Sequence, residues 1–297
     1  MSPTVVLCLA LVGVSFAAPL VRLSHAHPLT IAIWRVGFSL IVVAAALVIT
    51  GSWRQWRRLD GRGALLAVGT GVLLAVHFWT WNASVSLTTV AASVVLVNMQ
   101  PAIVGLLSAG WLREPPTWRQ WTGIAVAMIG AFVVAMPDLT STTATTNGLL
   151  GDLLALVGAA TAACYVVAGR RLRATLDIWP YVAVVYGTCF VVLIGLAASV
   201  HAPVLAQPAR ELGIFLALAA GPMLLGHTGL NWALKYLPAY VVNLTLLGEP
   251  VGATFLAAMI PGIRELPSTA TVAGGALILG GIYVASKTVR PAAAATA

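Results

Sequence analysis

Long apolar runs separated by short polar segments fill most of the chain. A helix needs about 20 apolar residues to cross the hydrocarbon core of a bilayer, and each run has about that length. The pattern predicts ten membrane-spanning helices, over residues 4–22, 29–50, 63–82, 87–110, 119–136, 148–169, 179–199, 211–230, 239–260 and 269–287. The expected fold is therefore an all-α membrane protein.

Composition supports this class. The 297 residues are 60% hydrophobic and 8% charged, whereas a soluble domain has about 45–50% apolar and about 25% charged residues. This balance excludes an ordinary soluble domain. Three cysteines, all in apolar segments, give no disulfide framework. The first cation is Arg22, so the N-terminus lacks the basic region of a cleaved signal, and the first run is expected to be a retained span.

Cations are distributed unevenly over the predicted loops. With the N-terminus inside, the cytoplasmic loops hold twelve of the 16 Lys and Arg residues: Arg54, Arg57, Arg58, Arg62, Arg113, Arg119, Arg170, Arg171, Arg173, Lys235, Lys287 and Arg290. The outer loops hold three: Arg22, Arg210 and Arg264. The positive-inside rule therefore favours ten spans with both termini cytoplasmic. It also explains the net charge of +8 without a nucleic-acid partner.

The ninth span carries a carboxylate near its centre, where Pro250 follows Glu249. A charged side chain at the bilayer centre costs roughly 2.5–3.5 kcal/mol on insertion scales. Pro250 has no N–H and leaves the carbonyl of Leu246 without its helical partner, and lipid cannot satisfy that acceptor. Both features predict a cavity filled with water or substrate beside Glu249. The alternative is that Glu249 pairs with another polar group and lines nothing.

The two halves of the chain align with an offset of about 150 residues. The matched positions are His77 with His227, Gln100-Pro101 with Glu249-Pro250, Arg113-Glu114 with Arg264-Glu265, and Gly130 with Gly281. Because each half has five spans, the second half must enter the membrane upside down relative to the first. Secondary transporters commonly have such inverted repeats and bind substrate between them near the midplane.

One cation lies inside a predicted span. Arg35 is about two helical turns from the outer end of the second span. Its long side chain is expected to snorkel to the interface, and otherwise to pair with a buried group. In the third span, His77 is either a cavity residue or a hydrogen-bonded packing residue.

Two segments resemble a known module: QPAIVGLLSAGWLREPPTWRQWTGIAVAMIGAFVV and GEPVGATFLAAMIPGIRELPSTATVAGGALILGGIYV. They resemble the two copies of the EamA module of the drug/metabolite transporter superfamily. The shared features are the proline in the fourth and ninth spans, the Arg-Glu pair that follows and the glycine-rich fifth and tenth spans. Within that superfamily, the chain looks most similar to bacterial exporters of aromatic amino acids (the YddG type).

The resemblance implies a ten-helix exporter of the bacterial inner membrane. Its first repeat would cover residues 1–140 (helices 1–5), its second residues 146–290 (helices 6–10), and residues 291–297 would form a cytoplasmic tail. A central cavity would be formed by the first, third, fourth, sixth, eighth and ninth helices, with the others peripheral. The residues then expected at or near the pathway are Ser15, His77, Trp79, Gln100, Tyr165, His227, Tyr240 and Glu249.

Several functional classes compete at this point. Aromatic amino acids suit a cavity lined by tryptophan, tyrosine and amides, whereas a lipophilic cation suits a buried carboxylate such as Glu249. Sugar nucleotides are disfavoured, because Arg35 is the only embedded cation and lies near one end of its span. A membrane enzyme is the alternative of another class, but amides, hydroxyls and imidazoles spread over several helices suit ligand recognition better than acid–base chemistry.

The expected mechanism is alternating access, with Pro101 and Pro250 as hinges of the fourth and ninth helices. The sequence has no phosphate-binding loop for ATP, and no cofactor is expected. His25 and His27 lack acidic or cysteine neighbours in sequence, so no metal site is expected. Proton coupling through Glu249 and the oligomeric state are left open.

Overall fold

The computed structural model describes residues 2–88, 93, 96–139, 148–260 and 269–286. The matched pair Arg264-Glu265, the predicted loop cations Lys287 and Arg290, and the tail at 291–297 lie outside the described residues. Every regular element within the described ranges is helical, and none is a strand.

The helices follow the apolar runs closely. Their bounds are α1 (Pro3–Leu23), α2 (Pro28–Thr50), α3 (Gly61–Leu87), α4 (Gln100–Leu112), α5 (Trp118–Leu139), α6 (Gly148–Arg173), α7 (Ile178–Ser199) and α8 (Ala209–Ala233). A ninth helix, α9, has two halves, Ala239–Thr245 and Glu249–Met259, and α10 is Thr269–Ser286. Six of the described helices are long and apolar enough to cross a bilayer, and α4 and α10 include shorter apolar helices. The number of membrane crossings and the position of the termini stay predictions.

Two helices run past their predicted ends because polar residues find partners inside the protein. α3 continues to Leu87, where the Asn82 amide donates to the carbonyl oxygen of Pro28 over 3.1 Å. α6 continues to Arg173, whose Nε donates to the carbonyl oxygen of Asn231 over 3.0 Å. The polar residues at these helix ends look like loop residues in the sequence. They are helical here because tertiary contacts satisfy their hydrogen-bonding groups.

Both predicted mid-span breaks are present, and each ends two residues before a proline. The chain makes turns at Asn98 and Met99, and α4 then begins at Gln100. In α9, a 3-10 turn over Leu246–Gly248 separates the two halves, and the second half begins at Glu249. The N–H of Glu249 bonds to the carbonyl oxygen of Leu246. The acceptor that Pro250 leaves free is thereby satisfied by a tighter turn.

Two further helices are irregular near a proline. α1 is interrupted at Phe16, three residues before Pro19. α8 contains a π-helical stretch over Ala219–His227 that includes Pro222. Such turns accommodate a residue that cannot donate to the helical ladder.

One end of the helix bundle is rich in arginine. Its loops join α2 to α3, α4 to α5 and α6 to α7, and we call it the arginine-rich end. Asp177 accepts hydrogen bonds there from Gln55 Nε2 (2.6 Å) and Lys235 Nζ (2.7 Å). The guanidinium of Arg170 pairs with Glu114 over 2.8 Å.

Polar contacts also join the helices at the opposite end. Ser24 Oγ donates to Glu211 over 2.5 Å, and Thr88 Oγ1 donates to Asp152 over 2.8 Å. Since α1 ends here and α6 begins here, these two helices run in opposite directions.

Glycines bring α5 and α10 into backbone contact. A Cβ added to Gly281 would lie 2.5 Å from the carbonyl oxygen of Gly123, and one added to Gly130 would lie 2.6 Å from that of Gly274. Only glycine permits this approach. These glycines therefore pack two helices of the same chain against each other.

Candidate functional site

A cavity lies at the centre of the bundle, between α1, α2, α3, α4, α6, α8 and α9. It contains about 810 Å³ of empty space, counting the part open to the surroundings. Its polar and aromatic lining is Arg35, His77, Phe78, Trp81, Asn98, Gln100, Tyr165, His227, Asn231, Asn243 and Glu249. Its aliphatic lining is Val14, Ala17, Val97, Ala162, Val166, Leu230, Leu234, Val242 and Leu246.

Most of the lining follows helical stripes. In α8, His227, Leu230 and Asn231 line the cavity, and Leu234 follows directly after the helix end. This is the spacing of one helix face. In α6, Tyr165 and Val166 follow Ala162 at the same spacing. The two broken helices contribute from beside their breaks, since Gln100 and Glu249 each begin the segment after the turn.

Arg35 lies in this cavity, so the prediction that it snorkels to the interface is wrong. The side chain is 1% exposed, and its guanidinium carbon lies 4.3 Å from the centre of the Phe78 ring. Its three side-chain nitrogens have no hydrogen-bond partner in the described part of the chain. The helical phase of α2 directs the side chain inward. Its depth alone would have allowed it to reach the interface.

The prediction that the second helix is peripheral is also wrong, because Arg35 of α2 lines the cavity. The remaining helices of the lining are those that the resemblance implied. Sugar nucleotides are disfavoured by the sequence because Arg35 lies near one end of its span, and this premise no longer applies, since Arg35 lines the cavity.

His77 and His227, the histidines matched between the two halves of the sequence, lie next to each other in the cavity wall. Their ring centres are 6.5 Å apart, and the Phe78 and His227 rings meet nearly at right angles with their centres 5.3 Å apart. His77 Nδ1 is 2.9 Å from the carbonyl oxygen of Gly158, which fixes the orientation of the ring. His77 is thus both a hydrogen-bonded residue and a lining residue.

Amide side chains join the helices around the cavity. The Asn231 amide donates to the Tyr165 hydroxyl and joins α8 to α6. The Asn243 amide donates to Gln100 Oε1 over 3.3 Å and joins α9 to the start of α4. Asn243 Oδ1 has no partner within the described ranges.

Glu249 is half-buried and faces the same cavity as Arg35. The two are close enough to interact electrostatically. The ion pairs among the described residues are Arg170–Glu114, Arg210–Glu211 and Lys235–Asp177, and none of them includes Arg35 or Glu249. The cavity therefore holds a basic and an acidic side chain that are not bonded to each other.

The structure brings together five of the eight pathway candidates, namely His77, Gln100, Tyr165, His227 and Glu249. The other three lie outside the lining. Ser15 Oγ donates to the carbonyl oxygen of Leu11 over 2.8 Å, where α1 packs on Gly252 of α9. Trp79 and Tyr240 pack into the main apolar core.

The predicted hinge residues also lie outside the lining, next to it. Pro101 is buried directly after Gln100, and Pro250 is buried directly after Glu249. The roles of all these residues in transport stay predictions.

Sequence reasoning missed several lining residues. Asn243 and Leu246 precede Glu249 at steps of three, which a stripe drawn back from Glu249 would have found. Phe78 and Trp81 share the His77 face of α3 and look like ordinary aromatic core residues in the sequence. For Arg35, the signal was Ser39 one turn later, a polar pair on one face of an apolar helix.

Comparison with known proteins agrees with this architecture. The family model described as EamA-like transporter family matches residues 3–136 and again residues 149–287. A protein of Archaeoglobus fulgidus named an uncharacterized transporter is 28% identical over 279 residues, covering 92% of this chain and 93% of its own.

A crystal structure of another protein superposes with a TM-score of 0.78 at 22% identity, covering 96% of each chain. That likeness concerns the fold alone. The two family matches together cover nearly the whole chain, and the helices are long and apolar. The chain belongs to the EamA-like transporter family, and it is a membrane protein.

Proposed function

We propose that this protein exports amino acids, aromatic ones foremost, across the bacterial inner membrane. The observation that carries the proposal is the central cavity. Its wall combines aromatic rings, amide groups and two opposite charges between helices that break at their prolines. Aromatic rings suit a planar apolar side chain, and amides and charges suit the polar end of an amino acid.

Alternating access is the proposed mechanism, with two five-helix repeats at 1–140 and 146–290 that are upside down to each other. The opposite directions of α1 and α6 support this arrangement, as does the family match that occurs twice. The polar contacts at the two ends, Arg170–Glu114 and Ser24–Glu211, each join residues of different repeats. Rocking of one repeat against the other opens one of these contacts while the other stays closed.

The orientation follows from charge. Exposed tryptophans (Trp53, Trp56, Trp111 and Trp118) accompany the arginines at the arginine-rich end. Tryptophan prefers the membrane interface, and arginine prefers the cytoplasmic side. We therefore place the arginine-rich end and both termini in the cytoplasm.

The test is counterflow into liposomes that contain the purified protein and are loaded with unlabelled amino acid. Labelled tryptophan and phenylalanine are expected to accumulate transiently, while glutamate and lysine are not. Failure of every amino acid to accumulate contradicts the proposal. Preferential exchange of a lipophilic cation instead supports the alternative that Glu249 favours. Chemical conversion of the substrate by purified protein in micelles would indicate an enzyme.

A further inference from the structure

We propose that Arg35 holds the carboxylate of the substrate and that Glu249 faces its ammonium group, so that the cavity selects a zwitterion. This inference rests on the proposed function and assigns its recognition site. It starts from the buried guanidinium and the carboxylate that line one cavity without bonding to each other.

The guanidinium of Arg35 lacks the partners that a buried charge requires. Burial of an unpaired ion costs several kcal/mol. The Phe78 ring at 4.3 Å compensates only part of this cost, since a desolvated cation–π contact contributes about 2 kcal/mol. The planar fork of arginine matches the two oxygens of a carboxylate. A carboxylate in the cavity therefore completes the site.

Other polar atoms without partners around the cavity are also donors on one side, near Arg35, and acceptors on the other, near Glu249. Trp81 Nε1, a donor on α3, has no partner in the described part of the chain, and neither does Asn243 Oδ1, an acceptor on α9. Among the lining residues, the donors without partners thus come from α2 and α3, and the acceptor without a partner comes from α9, where Glu249 also lies. An α-amino acid carries an acceptor group and a donor group on one carbon, and it can satisfy both sides together.

A ligand whose charges are all of one sign leaves either Arg35 or Glu249 without a partner. A lipophilic cation would meet the guanidinium, which is never deprotonated at working pH. A multiply charged anion would meet the Glu249 side chain, which offers it no donor when ionised. A zwitterion leaves no charge of either sign unpaired.

The test compares three ligands that share one ring: phenylalanine, 3-phenylpropionate, which lacks the ammonium, and phenethylamine, which lacks the carboxylate. Each is used to inhibit phenylalanine counterflow by wild type, Arg35→Gln, Arg35→Lys and Glu249→Gln. Arg57→Gln, which removes an exposed cation at the arginine-rich end, is the matched control. Gel filtration and thermal unfolding establish that each variant is folded.

In wild type and in Arg57→Gln, phenylalanine is expected to compete about ten- to a hundredfold better than either analogue, as charge-assisted hydrogen bonds provide. Arg35→Gln is expected to abolish its advantage over phenethylamine, and Glu249→Gln its advantage over phenylpropionate. Arg35→Lys keeps the charge without the fork and is expected to lose part of the preference. If Arg35→Gln does not fold, Arg35→Lys decides the question.

Equal loss of inhibition by all three ligands in the Arg35 variants, with their order unchanged, overturns the inference and leaves the amino acid exporter standing. If wild type exchanges no amino acid, the proposed function fails. The proposed carboxylate site is then tested separately, by comparing thermal unfolding of wild type and Arg35→Gln with and without phenylpropionate. Stabilisation of wild type but not of Arg35→Gln keeps the site. Equal or absent stabilisation removes it as well.

Discussion

Arg35 illustrates at the residue scale how helical phase outweighs depth. Seven residues separate it from the start of α2, a distance from which an arginine can reach an interface. The face of α2 on which it lies points into the bundle, and its side chain ends above Phe78. A single rotation of the helix would have made the same residue a surface group. The rotation of α2 about its axis therefore decides whether the cavity contains a cation.

Two buried tyrosines allow the role of the cavity wall to be separated from that of the core. Tyr165 lines the cavity and accepts from the amide of Asn231, whereas Tyr186 is paired with Thr228 Oγ1 at 3.0 Å outside the lining. Tyr165→Phe removes the hydroxyl that accepts from the buried Asn231 amide and is expected to cost about 1–3 kcal/mol. It is also expected to raise the KM for substrate.

Tyr186→Phe is the control for this substitution. Thr228 Oγ1 also lies within hydrogen-bond distance of the carbonyl oxygen of Met223, at 3.1 Å, so its hydroxyl keeps a partner. The expected cost is smaller, about 0.5–1.5 kcal/mol. The expected rise in KM is also smaller than for Tyr165→Phe, because the Tyr186 hydroxyl contacts the lining residue Asn231 but does not itself line the cavity. Thermal unfolding in detergent and counterflow kinetics measure both quantities. A similar rise in KM for the two variants would argue against a pathway role for Tyr165.

At the scale of the helix, the two proline breaks have a common design. Each places a polar residue at the first position after a turn, and the proline follows where its missing N–H costs least. The break therefore presents Gln100 and Glu249 to the cavity without leaving an acceptor of α9 unpaired at Leu246. Such a turn can change its angle with little loss of hydrogen bonding.

Pro101→Ala and Pro250→Ala test the proposed hinges. Alanine supplies the missing N–H and favours a continuous helix, so turnover is expected to fall several-fold while the free energy of unfolding changes by about 1 kcal/mol or less. Counterflow rates and thermal unfolding of the same preparations provide the comparison. Wild-type transport by both variants would eliminate the hinge mechanism.

The contact between α5 and α10 makes a second prediction at this scale. Gly281→Ala places a Cβ 2.5 Å from the carbonyl oxygen of Gly123, so the helices must separate. The expected destabilisation is about 1–3 kcal/mol. Gly280→Ala is the matched control, because a Cβ at Gly280 has nothing within 4 Å. Thermal unfolding of the two variants measures the difference, and equal stability would mean that this contact contributes little.

At the scale of the whole molecule, the two ends of the bundle differ in charge and in sidedness. The topology is tested with Arg57→Cys, at the arginine-rich end, and Leu205→Cys, which is 80% exposed in the loop between α7 and α8. Both are made after Cys8, Cys164 and Cys189 are replaced by serine. A membrane-impermeant maleimide added to intact cells is expected to label position 205 and not position 57. Inverted vesicles are expected to reverse this pattern, and labelling of position 57 from outside the cell would refute the proposed orientation.

The sequence by itself determined the helices, their two central breaks and the matched halves. Each of these follows from the chain itself. The length of an apolar run specifies a span, and proline removes a hydrogen-bond donor from the helix. The repeat is visible when the two halves of the sequence are aligned. It also singled out five residues that the structure gathers around one cavity, because polar groups in apolar helices are costly wherever they lie.

Only the tertiary structure decided which polar residues meet. Ser15, Trp79 and Tyr240 belong to helices that reach the cavity, yet they face neighbouring helices instead. Arg35 and Asn243, one judged remote and the other overlooked, face the cavity. The physical reason is that composition and depth depend on the chain alone, whereas the rotation of each helix about its axis is set by packing against its neighbours.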